Sequence, residues 1–136
     1  MQRVTAPASY PPMTQPLALV FYERLLPGTQ LVNRLQDLQY RVRTIETAEA
    51  LPDTAREAQP MVVLVDLDAA RSNPVAAIQL LQAVDDTRHL PIIAFSSDDK
   101  LSSQTVVRQA GATIVTQDQA LLSHLPQLLE QALRVE

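Results

Sequence analysis

The sequence predicts an α/β protein in which a parallel sheet is covered by helices on both faces. Three observations carry that reading. Apolar runs of strand length alternate five times with segments of helical periodicity between Leu17 and Leu133. The run Pro60-Met61-Val62-Val63-Leu64-Val65 contains no polar residue to mark a solvent face, as expected of a central strand buried on both sides. It ends in two carboxylates, Asp66 and Asp68, at the carboxyl end of the strand, where open parallel sheets gather their ligands. Side chains two apart on a strand share a face, so the pair is expected to project together.

The elements follow in order. Residues 1–16 hold four of the ten prolines, Pro7, Pro11, Pro12 and Pro16, with almost no apolar pattern, and read as an extended disordered arm ahead of a domain over 17–136. Leu17 to Phe21 is a first buried strand that ends at Tyr22-Glu23. Pro27-Gly28-Thr29 is a turn with Thr29 as helix cap, and Leu31, Val32, Leu35 and Leu38 then recur at helical spacing. Tyr40 to Ile45 alternates as a half-exposed strand does, which places it near a sheet edge. Ala48, Leu51, Ala55 and Ala58 mark a second helix, closed by Pro60 before the central strand.

After Asp68, the polar loop Ala69 to Asn73 leads to Pro74 in the first turn of a third helix. Ser72 or Asn73 is its cap, and Val75, Ile78, Leu81 and Val84 face inward. Pro91 to Phe95 is a fourth strand, ending at Ser96-Ser97. The helix carrying Leu101, Val106, Val107 and Ala110 stops at Gly111, with Asp98-Asp99 favouring its N-terminus. Ala112 to Thr116 is a fifth strand. Leu121, Leu122, Leu125, Leu128, Leu129, Ala132 and Leu133 form the stripe of one last helix.

Composition narrows function. There is no cysteine, so no disulfide, thiol nucleophile or thiolate metal site. The two glycines, Gly28 and Gly111, are too far apart to build a phosphate-binding glycine loop. A net charge of -4 with scattered arginines argues against nucleic acid as a partner. No segment reads as membrane-spanning or as a secretion signal, which makes cytoplasmic localisation the expectation. His89 and His124 lack partners at ligand spacing and are taken as surface residues.

The phrases Gln59-Pro60-Met61-Val62-Val63-Leu64-Val65-Asp66-Leu67, Leu90-Pro91-Ile92-Ile93-Ala94-Phe95-Ser96 and Gln109-Ala110-Gly111-Ala112, in that order and spacing, resemble the receiver domain of bacterial response regulators. The resemblance covers residues 17 to 134. It implies a flavodoxin-like (βα)5 three-layer sandwich with a five-stranded parallel sheet in the order 2-1-3-4-5. It also implies that Asp66 stands at the phosphoacceptor position and Ser96 at the conserved hydroxyl position.

Three departures accompany it. The family's acid pair after the first strand is Tyr22-Glu23 here, so one metal-binding acid is missing. The family's lysine after the fifth strand is replaced by Thr116-Gln117-Asp118, and the only lysine, Lys100, belongs to the start of the fourth helix. No aromatic residue follows Phe95, so the usual relay from the hydroxyl position to a fifth-strand aromatic is lacking.

The expected function is therefore a non-enzymatic pseudo-receiver. It would be a single-domain interaction module in a two-component-type pathway, acting without phosphorylation through its fourth and fifth helices and fifth strand. A histidine kinase or another signalling protein is the expected partner, with a homodimer left open. The alternative is a degenerate receiver that still accepts phosphate on Asp66 with Mg²⁺. No cofactor is required on the first reading. Glu23, Asp66 and Asp68 are the candidate Mg²⁺ ligands, because hard cations take carboxylate oxygens. The plainer reading of Asp66 is a solvated strand-end aspartate paired with Arg24 or Arg71, and that of Ser96 is a helix-capping or solvated hydroxyl.

Overall fold

The computed structural model describes residues 15–97 and 101–134. Most of the proline-rich arm, Asp98, Asp99, Lys100 and the side chain of Leu101 lie outside the described residues.

Five strands, β1 (Leu17–Phe21), β2 (Arg41–Ile45), β3 (Val62–Asp66), β4 (Ile92–Ser96) and β5 (Ile114–Gln117), form one parallel sheet in the order β2-β1-β3-β4-β5. This is the order 2-1-3-4-5. The helices are α1 (Leu25–Asp37), α2 (Leu51–Ala58, entered through a short 3-10 turn at Ala48–Ala50), α3 (Pro74–Ala83), α4 (Leu101–Ala110), α5 (Asp118–Ser123) and α6 (Leu125–Leu133).

The central position of β3 follows from its composition. All five of its residues are buried, and they alternate between two cores because successive side chains on a strand point to opposite faces. Val63 and Val65 join Leu19, Phe21, Ile92 and Ala94 under α2, α3 and α4, where Leu51, Ile78, Leu81 and Val107 meet them. Val62 and Leu64 join Val20, Ile93 and Phe95 on the other side, under Leu31, Leu35, Leu121, Leu125 and Leu129 of α1, α5 and α6. The edge strand β2, whose residues are exposed or half-buried up to Ile45, is where its polar alternation places it. The sheet reaches back to the arm's end, since the Arg41 N–H donates to the Pro16 carbonyl at 2.8 Å.

Several local expectations are corrected. Thr29 lies inside α1, where its hydroxyl donates to the Leu25 carbonyl at 3.0 Å, and Arg24 is the residue at the N-cap position. Leu38 caps the C-terminus of α1 and is exposed, and Val106 lies on the outer face of α4. Of the inward set on α3, Ile78 and Leu81 are fully buried, while Val75 is half-buried and Val84 lies just past the helix end. Asn73 is the cap, accepting from the Ala76 N–H at 3.1 Å.

β5 starts two residues later than expected. Ala112 closes α4 by donating to the Val107 carbonyl, and the Thr113 N–H donates to Ile92. Gly111 sits there at φ 132°, and an added Cβ would lie 2.1 Å from Gln82. The last stripe is two helices rather than one. Pro126 fits only a first helical turn, so the chain breaks at His124 and restarts. Leu121, Leu125, Leu129 and Ala132 are buried across the break, and Leu122, Leu128 and Leu133 are half-buried. Among the described residues, no helix is long and apolar enough to cross a membrane.

Candidate functional site

The carboxyl ends of β1, β3, β4 and β5 converge on Asp66, the one charged residue of the central strand. Its register places it beside Phe95, and Phe95 beside Thr116. It is completely buried. A buried carboxylate must be paired and hydrogen-bonded, and the chain after β1 supplies both.

Tyr22, Glu23 and Arg24 turn sharply over the end of the sheet. Leu26, just inside α1, keeps an extended backbone (φ -111°, ψ 126°), and Gly28 lies so close to the Tyr22 ring that an added Cβ would be 2.0 Å from it. This tight turn aims the Arg24 backbone and side chain at the same acid. The N–H groups of Glu23 and Arg24 each donate to Asp66 Oδ2 at 3.2 Å. Arg24 Nε and Nη2 reach Oδ1 at 3.1 and 2.8 Å, and the Asp68 N–H adds a bond to Oδ1 at 3.0 Å.

The other edge of the guanidinium meets Asp118, with Nη1 to Oδ2 at 2.7 Å and Nη2 to Oδ1 at 3.2 Å. Nη1 also lies 3.4 Å from Asp68 Oδ2. One guanidinium thus braces three carboxylates brought from two strand ends. Its burial works against the charge, but the hydrogen bonds it donates to Asp118 and Asp66 and their negative charges outweigh this and raise its pKa.

Asp68 does converge with Asp66, though not by sharing a strand face. The strand ends at Asp66, and Asp68 lies in the turn that follows. Its carboxylate accepts from the Ser96 hydroxyl at 2.8 Å, from the Ser97 N–H at 3.0 Å and from the Ser97 hydroxyl. Partial burial pushes the Asp68 pKa up, but these bonds and the charge of Arg24 hold it below its ordinary value. Ser96 is buried and engaged with Asp68, which is a different role from a solvated helix cap. Thr116, half-buried, and Gln117, exposed, have uncharged side chains, so neither offers the cation that the resemblance expects after the fifth strand.

Glu23 goes elsewhere. Its side chain, only 8% exposed, accepts from the N–H groups of Ala70 and Arg71 at 2.8 and 3.1 Å and from the Ser72 hydroxyl at 2.9 Å. The bond from the Arg71 backbone leads in lowering its pKa; desolvation opposes this, and Ser72, Ala70 and the Arg71 charge reinforce it. Glu23 therefore ties down the loop before α3. The expected trio of Glu23, Asp66 and Asp68 is not assembled, and the donors present do not fit a metal: Asp66 is filled by Arg24 and Glu23 by backbone N–H groups. Among the described residues, no group of three or more acids or histidines is arranged to hold a metal ion.

Of the two proposed partners for Asp66, Arg24 is the one observed, and Arg71 pairs loosely with Glu23 at 3.7 Å. His89 and His124 are exposed. Asp118 is the member that sequence reasoning missed as a site residue. A buried aspartate demands a cation, and that demand is met by Arg24, one of the two candidates the sequence offers. Nothing local marks Asp118, which lies 94 positions away from Arg24.

No protein-family model matches this chain, and a search of curated proteins found no match. Solved structures do match it along most of its length. A putative response regulator from Chloroflexus aurantiacus J-10-fl superposes with a TM-score of 0.83 at 16% identity, over 90% of this chain and 100% of that one. The receiver domain of sensor histidine kinase PA1611 from Pseudomonas aeruginosa PAO1, with a magnesium ion coordinated in its active-site cleft, gives 0.80 at 18% identity, covering 90% and 100%. Vibrio cholerae chemotaxis protein CheY4 gives 0.79 at 15%, covering 88% and 99%. At these identities the likeness is one of fold, and the fold is that of response regulator receiver domains.

Proposed function

We propose that this protein is a pseudo-receiver: a receiver fold that binds a partner protein in a two-component-type pathway in the cytoplasm and needs no phosphorylation to do so. The observation that carries the reading is the enclosure of Asp66. A carboxylate that accepts a phosphoryl group needs an oxygen free to attack and a cation shared with the phosphoryl oxygens. Asp66 has no exposed surface, and both of its oxygens accept hydrogen bonds from Arg24, with further bonds from Glu23 and Asp68. Among the described residues, the cation paired with Asp66 is Arg24, already shared among three carboxylates, which leave the cluster net negative and repel an anionic donor.

On this reading the molecule is not an enzyme and works through its surface. The exposed apolar side chains Leu25 and Leu26, beside the acid cluster, and Val106 on α4 are where a histidine kinase or other signalling protein would make contact. Incubation with Mg²⁺ and a small acyl phosphate, followed by intact mass measurement, tests the reading. The expected result is no phosphoryl adduct. An adduct on the wild type that Asp66→Asn lacks would overturn the reading and establish a phosphorylatable receiver instead.

A further inference from the structure

Asp66 at the end of β3, Asp68 in the turn beyond it and Asp118 at the start of α5 direct oxygens at one group, the Arg24 guanidinium, at 2.8, 3.4 and 2.7 Å. Oxygens converging on a central positive charge are the environment of a hard divalent cation. Here the charge is covalently attached. The Arg24 N–H also donates to Asp66, so the residue is held by its backbone as well as its side chain, and the turn braced by Tyr22 against Gly28 leaves it no slack. A guanidinium is planar, permanently charged and able to serve several carboxylates with separate N–H groups, which a lysine cannot do in the same fixed geometry. Glu23, the acid next to Arg24 in the chain, is occupied by the loop before α3 and does not compete.

We propose that Arg24 is a built-in cation standing in place of a divalent metal ion. It makes the folded state and its acid end independent of metal, and removing it leaves Asp66, Asp68 and Asp118 as a site for a hard divalent cation such as Mg²⁺. The three acids are not arranged as direct ligands around one ion, so the ion would bind hydrated, as Mg²⁺ keeps several waters and needs only one or two direct carboxylates. The proposal holds whichever partner the surface binds, and it is tested without one.

Thermal melting of wild type, Arg24→Ala and Arg24→Lys in a chelator and in millimolar Mg²⁺ is the experiment. Wild type is expected to melt at the same temperature in both. Arg24→Ala is expected to melt lower in chelator and to gain about 5 °C or more from Mg²⁺. Arg24→Lys, which keeps a charge, is expected to respond little. Mn²⁺ should broaden the amide signals of Asp68, Ser97 and Asp118 in Arg24→Ala and leave them sharp in wild type. A wild type stabilised by Mg²⁺ as much as the variant, or broadening elsewhere, would overturn the proposal. Should Arg24→Ala be unfolded in chelator, recovery of its native spectrum with Mg²⁺ supports the proposal. Arg24→Gln, which keeps hydrogen-bond donors without charge, overturns it if Mg²⁺ leaves its melting unchanged.

Discussion

The body of the central strand and its carboxyl end obey different physics. From Val62 to Val65, stability comes from apolar side chains filling two cores, an interaction without direction that accepts any neighbour of suitable volume. One residue further on, Asp66 is as deeply buried as they are, yet it is held by named donors at fixed distances, and the Arg24 guanidinium among them also serves Asp68 and Asp118. The body is an additive structure. The end is a reciprocal one, in which Arg24 needs its acids and they need it.

Breaking a core that the strand body fills, here through its neighbour β4, should cost most. Phe95→Ala removes the largest fully buried side chain on the α1, α5 and α6 face and is expected to destabilise by about 3–5 kcal/mol in chemical denaturation. Breaking the end comes next. Arg24→Gln strands a buried carboxylate, a change that costs about 3–5 kcal/mol for a fully enclosed pair; with a quarter of Arg24 exposed, water offsets part of it, and about 2–3 kcal/mol is expected without divalent cations.

The smallest effect is in acid. The ordinary values for Asp68 and Glu23 are 3.8 and 4.5, and both are lowered in the folded protein. Their contribution is therefore complete above those values and is lost as pH falls through the lower folded ones. Asp68 faces Arg24, Ser96 and Ser97 and shares the guanidinium with Asp66 and Asp118. Asp68→Asn should flatten the loss of stability below about pH 4 and leave the slope near neutrality unchanged. An equally steep acid limb in the variant would show that Asp68 contributes nothing to it.

The two regions also differ in how far the sequence exposes them. The uninterrupted apolar run before Asp66 was enough to place β3 at the centre, and the alternation in Arg41 to Ile45 was enough to place β2 at an edge. Both are consequences of composition repeated along a strand. The split of the last helix is hidden in the sequence because the leucine stripe runs through His124 unbroken, and only Pro126 records the restart.

Asp66 and Ser96 were legible as site residues. For Asp66 the sequence narrows the partner to Arg24 or Arg71, and only the fold selects Arg24, 42 positions away; the bond from Ser96 to Asp68, 28 positions apart, has no local signal. The place of Glu23 is hidden for the same reason: an acid after the first strand has two directions open to it, and the N–H groups of Ala70 and Arg71 take it away from Asp66.

By itself, the sequence determined the alternating order of strands and helices, the central buried strand and the carboxylate at its end. These depend on periodicity and on the free energy of burying apolar surface, and both can be read from neighbouring residues. Tertiary structure alone decided that Arg24 fills the space among Asp66, Asp68 and Asp118. A charge chooses its partner by distance and direction, and those exist only once the strand ends have been brought together.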